Sequence, residues 1–319
     1  MAFDIVLILL ITLFLTVIVT PFYIRGMRSL QFGQQIREDG PALHAIKAGT
    51  PTMGGVIFIP AAALVTLIIA GPSPALHAAF LVTLGCGLIG LFDDLGKIAL
   101  SRSLGLKARS KLAGEVLITA LLVLILHHSG LYSTAVEVPF LGVTIDLGYF
   151  YPLFLFLIIS AASNSVNLTD GIDGLASGVS VIALVAFMVI ALQAGSFPVV
   201  LFCAAMAGGC LGFLFFNCYP ARLFMGDTGS LALGGAFAAI AVLLKAELFL
   251  IIIGGIFVLE ALSVIIQVIW FRLTGRRILL MSPLHHHFEM KGWSEWRVVG
   301  TFWGTSIILA LAGVLAYNR

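Results

Sequence analysis

Ten times along this chain the sequence runs through 17 or more residues that are almost wholly apolar. A helix of about 20 such residues crosses the ~30 Å hydrocarbon core of a bilayer while satisfying its own backbone hydrogen bonds. The expected spans are 2–24, 51–70, 75–95, 110–128, 149–165, 174–193, 197–217, 229–246, 248–272 and 298–317. The expected fold is therefore an all-α integral membrane protein of about ten transmembrane helices. No polar stretch is long enough to fold alone, so 1–319 is read as a single polytopic membrane domain. The first run carries Asp4, lacks a basic leader and a small-residue cleavage site, and reads as a retained span rather than a signal peptide.

Composition points the same way: 61% of residues are hydrophobic and 10% charged, with a mean hydropathy of +1.14. The net charge of +2 conceals an asymmetry, because fifteen of the 17 basic residues fall in alternate loops. Arg25, Arg28, Arg37 and Lys47 lie in one; Lys97, Arg102, Lys107, Arg109 and Lys111 in another; Arg222 in a third; Arg272, Arg276, Arg277, Lys291 and Arg297 in and beside a fourth. Basic residues gather on the cytoplasmic side, which puts both termini outside. The basic face should attract anions; no nucleic-acid partner is expected. On the opposite side, 130–148 alternates β-branched with polar residues and contains Gly and Pro, the pattern of a small extracytoplasmic β-hairpin. The four cysteines sit in or at the ends of apolar runs and read as small core residues.

Carboxylates are costly beside lipid unless something pairs with them or binds them. Five aspartates nevertheless fall at the inner ends of expected spans: Asp93 and Asp94 in LFDDLGK, Asp170 and Asp173 in NLTDGIDGL, and Asp227 in MGDTGS. The topology derived from basic residues alone puts all five on one face, which points to one shared site. Asp170 and Asp173, three apart, would share a face in a helical first turn, and Thr169 or Asp170 could cap the sixth helix. Asp93 and Asp94 should repel one another unless a divalent cation or Lys97, one turn on, intervenes. MGDTGS could form a tight turn that offers backbone N–H groups to phosphate. Oxygen-rich clusters without cysteine suit a hard cation, Mg²⁺ above all, and the nearby basic residues fit a phosphorylated ligand. Together these indicate phosphoryl transfer.

His285, His286 and His287 cannot all point one way on a regular helix, so hydrogen bonding to phosphate or proton relay is favoured over zinc. Glu260, well inside the ninth span, reads equally well as functional or as a buried hydrogen-bonding group, and stays outside the catalytic set.

Taken with GPALHAIKAGTPTMGG, the stretches LFDDLGK, NSVNLTDGIDGLASG, FNCYPARLFMGDTGSL and SPLHHHFEMKGW resemble, in order and across essentially the whole chain, the MraY translocase family. These are bacterial phospho-N-acetylmuramoyl-pentapeptide transferases, within the polyprenyl-phosphate N-acetylhexosamine-1-phosphate transferases. The resemblance implies transfer of phospho-MurNAc-pentapeptide from its UDP carrier to undecaprenyl phosphate, giving lipid I and UMP, with Mg²⁺. It also implies ten helices, a homodimer and an active site on the cytoplasmic face of the inner membrane. It places catalytic roles on Asp93, Asp94, Asp227, His285, His286 and His287, with Asp227 as the metal ligand. Substrate-binding roles fall on Lys47, Lys97, Lys111, Asn167, Asp170, Asp173, Asn217 and Phe224, and a groove for the lipid tail near the ninth helix. The alternatives are a GlcNAc-1-phosphate transferase and a secondary transporter. Two routes stay open: direct attack of the lipid phosphate assisted by Asp93, or a covalent phospho-sugar on a carboxylate.

Overall fold

The computed structural model describes residues 2–29, 49–99 and 105–317. Lys47, together with Arg37, His44 and Arg102, lies outside them. Among the described residues nine helices are long and apolar enough to span a membrane. They are α1 (Ala2–Ser29), α3 (Pro74–Ala99), α4 (Ala108–His128), α5 (Tyr151–Thr169, entered through a 3₁₀ turn at Gly148–Phe150), α6 (Leu175–Gln193), α7 (Phe197–Asn217), α8 (Gly226–Leu243), α10 (Gly255–Thr274) and α12 (Glu295–Tyr317). Three shorter helices are α2 (Gly55–Ala70), α9 (Phe249–Ile253) and α11 (Leu284–Met290). The chain is an all-α multi-pass membrane protein. Its one sheet among the described residues is the hairpin expected between 130 and 148, in which β1 (Ala135–Val138) pairs antiparallel with β2 (Val143–Asp146).

Two spans differ from expectation. The run 51–70 yields a helix of only 16 residues, α2, because its first residues pair with another segment. Phe224 N–H donates to Pro51 O at 2.9 Å, Gly54 N–H to Phe224 O at 2.9 Å and Gly55 N–H to Met225 O at 3.1 Å. The run 248–272 breaks at Gly254 into α9 and α10. The apolar pattern continues through the break, so hydropathy alone does not reveal it.

Helices α7 and α8 form the interior: 83% of the most apolar stretch of each is buried, against 17% for α1, which buries one face against α7 and leaves the rest exposed. Side chains in lipid gain little from burial as such, so close packing of small residues does the work. Three glycines inside α8 face three different helices: Gly229 meets Gly55 of α2, Gly234 meets Ala162 and Ser163 of α5, and Gly235 meets Val82 and Cys86 of α3. On α3, a Cβ at Gly90 would overlap the backbone of Asp227. That approach brings the end of α3 against the start of α8, where the acidic residues lie.

Candidate active site

Asp94 fixes the junction. Its Oδ1 accepts Asp227 N–H at 3.1 Å, and its Oδ2 accepts both Thr228 N–H at 2.9 Å and Thr228 Oγ1–H at 2.8 Å. The orphan donors at a helix start normally find a partner in the preceding residue; α8 finds it on α3, 133 residues away in sequence. Gly226 makes this possible, since its φ of +73° suits glycine and a Cβ there would meet the Asp94 carboxylate at 2.7 Å. The expectation that MGDTGS would offer its N–H groups to phosphate is thus corrected: Asp94 already takes two of them.

Capping places Asp227 beside Asp93. Lys97 Nζ lies 2.7 Å from Asp93 Oδ2, 3.7 Å from Asp94 Oδ1 and 2.9 Å from Asp227 Oδ1. From α4, Lys111 Nζ lies 3.0 Å from Asp93 Oδ1 and 2.9 Å from Asp227 Oδ2. Leu106 N–H donates to Asp93 Oδ1 at 2.7 Å, and Gly105 packs so closely on that carboxylate that a side chain would displace it. Lys97 does relieve the repulsion within the pair, as its spacing suggests. The cluster still holds three carboxylates against two ammonium groups. One oxygen from each of Asp93, Asp94 and Asp227 comes within 4.8 Å of the others, and an all-oxygen, net-negative set fits a hard divalent cation.

The turn 170–174 forms the next wall. Asp170 and Asp173 do not share a helical face: α5 stops at Thr169 and α6 starts at Leu175, after Gly174 with a φ of +78°. No side chain caps α6, contrary to the capping reading of Thr169 or Asp170. The two aspartates therefore point to different tasks. Asp173 Oδ2 accepts Ala221 N–H at 2.9 Å, which ties the turn to the segment leading to Asp227. Asp170 is half-buried. Its burial, with the negative charges of Asp227 and Asp94, pushes its carboxyl well above the usual carboxylate range.

Asn167 Nδ2 donates to Ser230 Oγ on α8 at 2.8 Å. Asn217 is a buried brace: its Oδ1 accepts Gly174 N–H and Ser177 Oγ–H, and its Nδ2 donates to Leu223 O at 3.1 Å. Half-buried Phe224 holds the 51–55 segment through its backbone and so joins GTPTMGG to the start of α8.

The three histidines face three ways on α11. His285 is fully buried against Glu260 of α10. His286 Nδ1 lies 2.7 Å from Glu289 Oε2. His287 Nδ1 accepts Leu280 N–H at 3.1 Å, with its proton affinity lowered by burial and the Lys291 charge. The helix is held in place by α10, where Gln267 Oε1 accepts the N–H groups of Ile278 and Leu279 at 3.1 and 3.0 Å. The His285 ring fills the place a side chain at Gly171 would take, beside Asp170. Sequence reasoning missed Thr228 and Gly105, whose partners Asp94 and Asp93 are 134 and 12 residues away, and left Glu260 aside; only its position inside an apolar run had marked Glu260.

Comparison with known proteins matches this arrangement to a family. Residues 76–245 match the model of glycosyl transferase family 4, and residues 47–59 match signature 1 of the phospho-N-acetylmuramoyl-pentapeptide-transferases. Proteins bearing the name phospho-N-acetylmuramoyl-pentapeptide-transferase are similar along nearly the whole chain. The one from Geobacillus kaustophilus is 49% identical over 314 residues, 97% of each chain. That from Shouchella clausii is 50% identical over 312 residues, 96% of this chain and 95% of its own; that from Bacillus subtilis is 47% identical over 304 residues, 94% of each. With this extent of identity and the two matching family signatures, the chain belongs to the phospho-N-acetylmuramoyl-pentapeptide transferases, enzymes of glycosyl transferase family 4.

Proposed function

We propose that this enzyme transfers phospho-MurNAc-pentapeptide from UDP-MurNAc-pentapeptide to undecaprenyl phosphate, forming lipid I and UMP in peptidoglycan synthesis. In this reading it works with Mg²⁺ at the cytoplasmic face of the bacterial inner membrane, as a homodimer with both termini extracytoplasmic and 1–319 as one domain. The observation that carries it is the meeting of Asp93, Asp94 and Asp227 with Lys97 and Lys111 at the end of a membrane-spanning bundle. A polyprenyl phosphate keeps its tail in lipid and its head at the interface, whereas a nucleotide arrives from water; helix ends meet both.

Asp227, with Asp93 beside it, would hold the Mg²⁺, which when bound neutralises the diphosphate and stabilises the departing UMP. Lys97 and Lys111, now shared between carboxylates, receive phosphate oxygens; Lys47 is a further substrate-binding residue by the family resemblance. Asp170 and Asn167 stand around the reacting phosphates, with α11 and its histidines His285 to His287 beside them, while Asn217, Asp173 and Phe224 hold the floor of the pocket. The bond formed joins an oxygen of the lipid phosphate to the β-phosphorus; the bond broken is that between the β-phosphorus and the bridging oxygen, which leaves with UMP. Asp93 has Leu106 N–H and two lysines on its oxygens, a setting that makes a carboxylate a poor nucleophile. This setting supports direct attack, with Asp93 orienting the lysines, over a covalent phospho-sugar.

The test is release of UMP by purified enzyme given Mg²⁺, undecaprenyl phosphate and UDP-MurNAc-pentapeptide. Preference for UDP-GlcNAc would overturn the substrate assignment. Exchange of labelled UMP into the UDP-sugar without any lipid acceptor would overturn direct attack in favour of a covalent intermediate.

A further inference from the structure

Outside the aspartate cluster, Glu115, Glu247 and Glu260 are buried among apolar helices, and their surroundings differ. Glu115 Oε1 accepts hydrogen bonds from Ser163 and Asn164. Glu247 Oε1 accepts them from Tyr151 and Lys245. Glu260 instead faces the start of α11: its Oε1 accepts His285 N–H at 3.2 Å and lies 3.2 Å from His285 Nδ1. Both residues are 0% exposed. Among the described residues, Glu260 Oε2 and both ring nitrogens of His285 have no hydrogen-bond partner; Glu115 and Glu247 also have a bare Oε2, but the side chains they touch do have partners.

Buried polar atoms are normally paired, and three unpaired ones on two touching side chains mark a place where satisfaction comes from elsewhere or at another moment. A neutral imidazole carries one proton. A carboxylate beside Nδ1 draws it there, and Nε2 is then left with a lone pair. That Nε2 abuts Gly171, next to Asp170. The ring therefore sits between an intramembrane carboxylate on one side and the acidic pocket on the other.

We propose that Glu260 is a positioning residue for the transferase reaction, holding the His285 ring with its proton on Nδ1 so that Nε2 faces the turn of Asp170 as a hydrogen-bond acceptor. The group it accepts from is an O–H at the pocket, supplied by a singly protonated phosphomonoester or by a sugar hydroxyl of the bound substrates. The proposal rests on the transferase reading of the pocket. Its decisive measurement, however, needs no turnover.

In ¹⁵N-histidine-labelled enzyme without substrates, with the His285 signal assigned by its loss in His285→Asn, the ring should carry a proton on Nδ1. A bare Nδ1 would overturn the proposal, even if Glu260→Gln failed to fold. In Glu260→Gln the Nδ1 preference should be lost, and kcat for UMP release should fall at least tenfold while KM for the UDP-sugar stays within twofold. An unchanged ring spectrum, or kcat within twofold of the parent, would also overturn it. Lack of UMP release by the parent enzyme would instead count against the functional reading and leave the ring assignment standing on its spectrum.

Discussion

The two ends of α8 carry the same kinds of side chain in different proportions. At its start, Asp93, Asp94 and Asp227 face Lys97 and Lys111. Just past its other end, Lys245 Nζ donates to Glu247 Oε1 at 3.0 Å, to Tyr151 Oη at 2.8 Å and to Ser133 O at 2.9 Å, and Tyr151 Oη–H donates to Glu247 Oε1 at 2.7 Å. There the charges match one for one, and the network pins the hairpin connection to α5 and to the segment before α9. Excess carboxylate at the first end is what distinguishes a site from a clamp: buried negative charge without an equal number of cations calls for another cation.

The largest expected effect tests that contrast directly. Asp227→Asn should lower UMP release by about 10³-fold or more, the scale of losing a metal-holding or charge-stabilising group, with a melting temperature close to the parent's. Glu247→Gln should leave turnover within twofold. Equal losses in the two variants would break the comparison. Next comes Gly90→Ala, whose methyl group would push the Asp227 backbone away from α3; displacement by about 1 Å costs on the order of 10²-fold in rate, read as kcat in protein that still purifies as a folded species.

Asp94→Asn bears on architecture as much as on rate. An amide can accept with only one oxygen and turns its N–H₂ toward the N–H groups of Asp227 and Thr228, leaving donors unsatisfied at about 1–3 kcal/mol, measurable as lower thermal stability in detergent. Lys245→Met should destabilise by about 1 kcal/mol through the lost charged hydrogen bonds while kcat per folded molecule stays unchanged; a fall in kcat would give the balanced end a catalytic part.

The smallest effect concerns pH. The proton affinity of His287 is lowered in the folded state, so between the folded and unfolded values the unfolded chain binds more protons and stability rises with pH. The stabilisation present above the ordinary histidine value of about 6.5 is lost as pH falls through the lower folded value. Protection of the Leu280 amide from hydrogen exchange, corrected for intrinsic rate, should accordingly weaken between about pH 7 and pH 5. Constant protection would show that His287 Nδ1 does not hold that amide.

Much of this was readable before any tertiary information. Long apolar runs gave the spans because crossing lipid demands local hydrophobicity and nothing else. Aspartates such as Asp93, Asp170 and Asp227 stood out because charge at a span end is expensive without a partner. The start of α2 lies later than expected: the expected span opens at Pro51, whereas Pro51, Thr52 and Gly54 are poor helix formers and the pairing with Phe224 and Met225 holds this stretch outside the helix. The separate tasks of Asp170 and Asp173 were hidden, since their spacing of three implies a helix that the turn at Gly174 does not form.

By itself, the sequence determined that the chain would be a bundle of membrane-spanning helices and which residues would be anomalous within them, since both follow from the chemistry of neighbours a few positions apart; the shortening of α2 and the break at Gly254 were not among them. The tertiary structure alone decided that Asp94 caps α8, that Lys111 reaches Asp227 across 116 residues and that His285 rests on Glu260. Those contacts depend on how closely helices approach, which small residues such as Gly90, Gly105 and Gly171 permit and no local periodicity encodes.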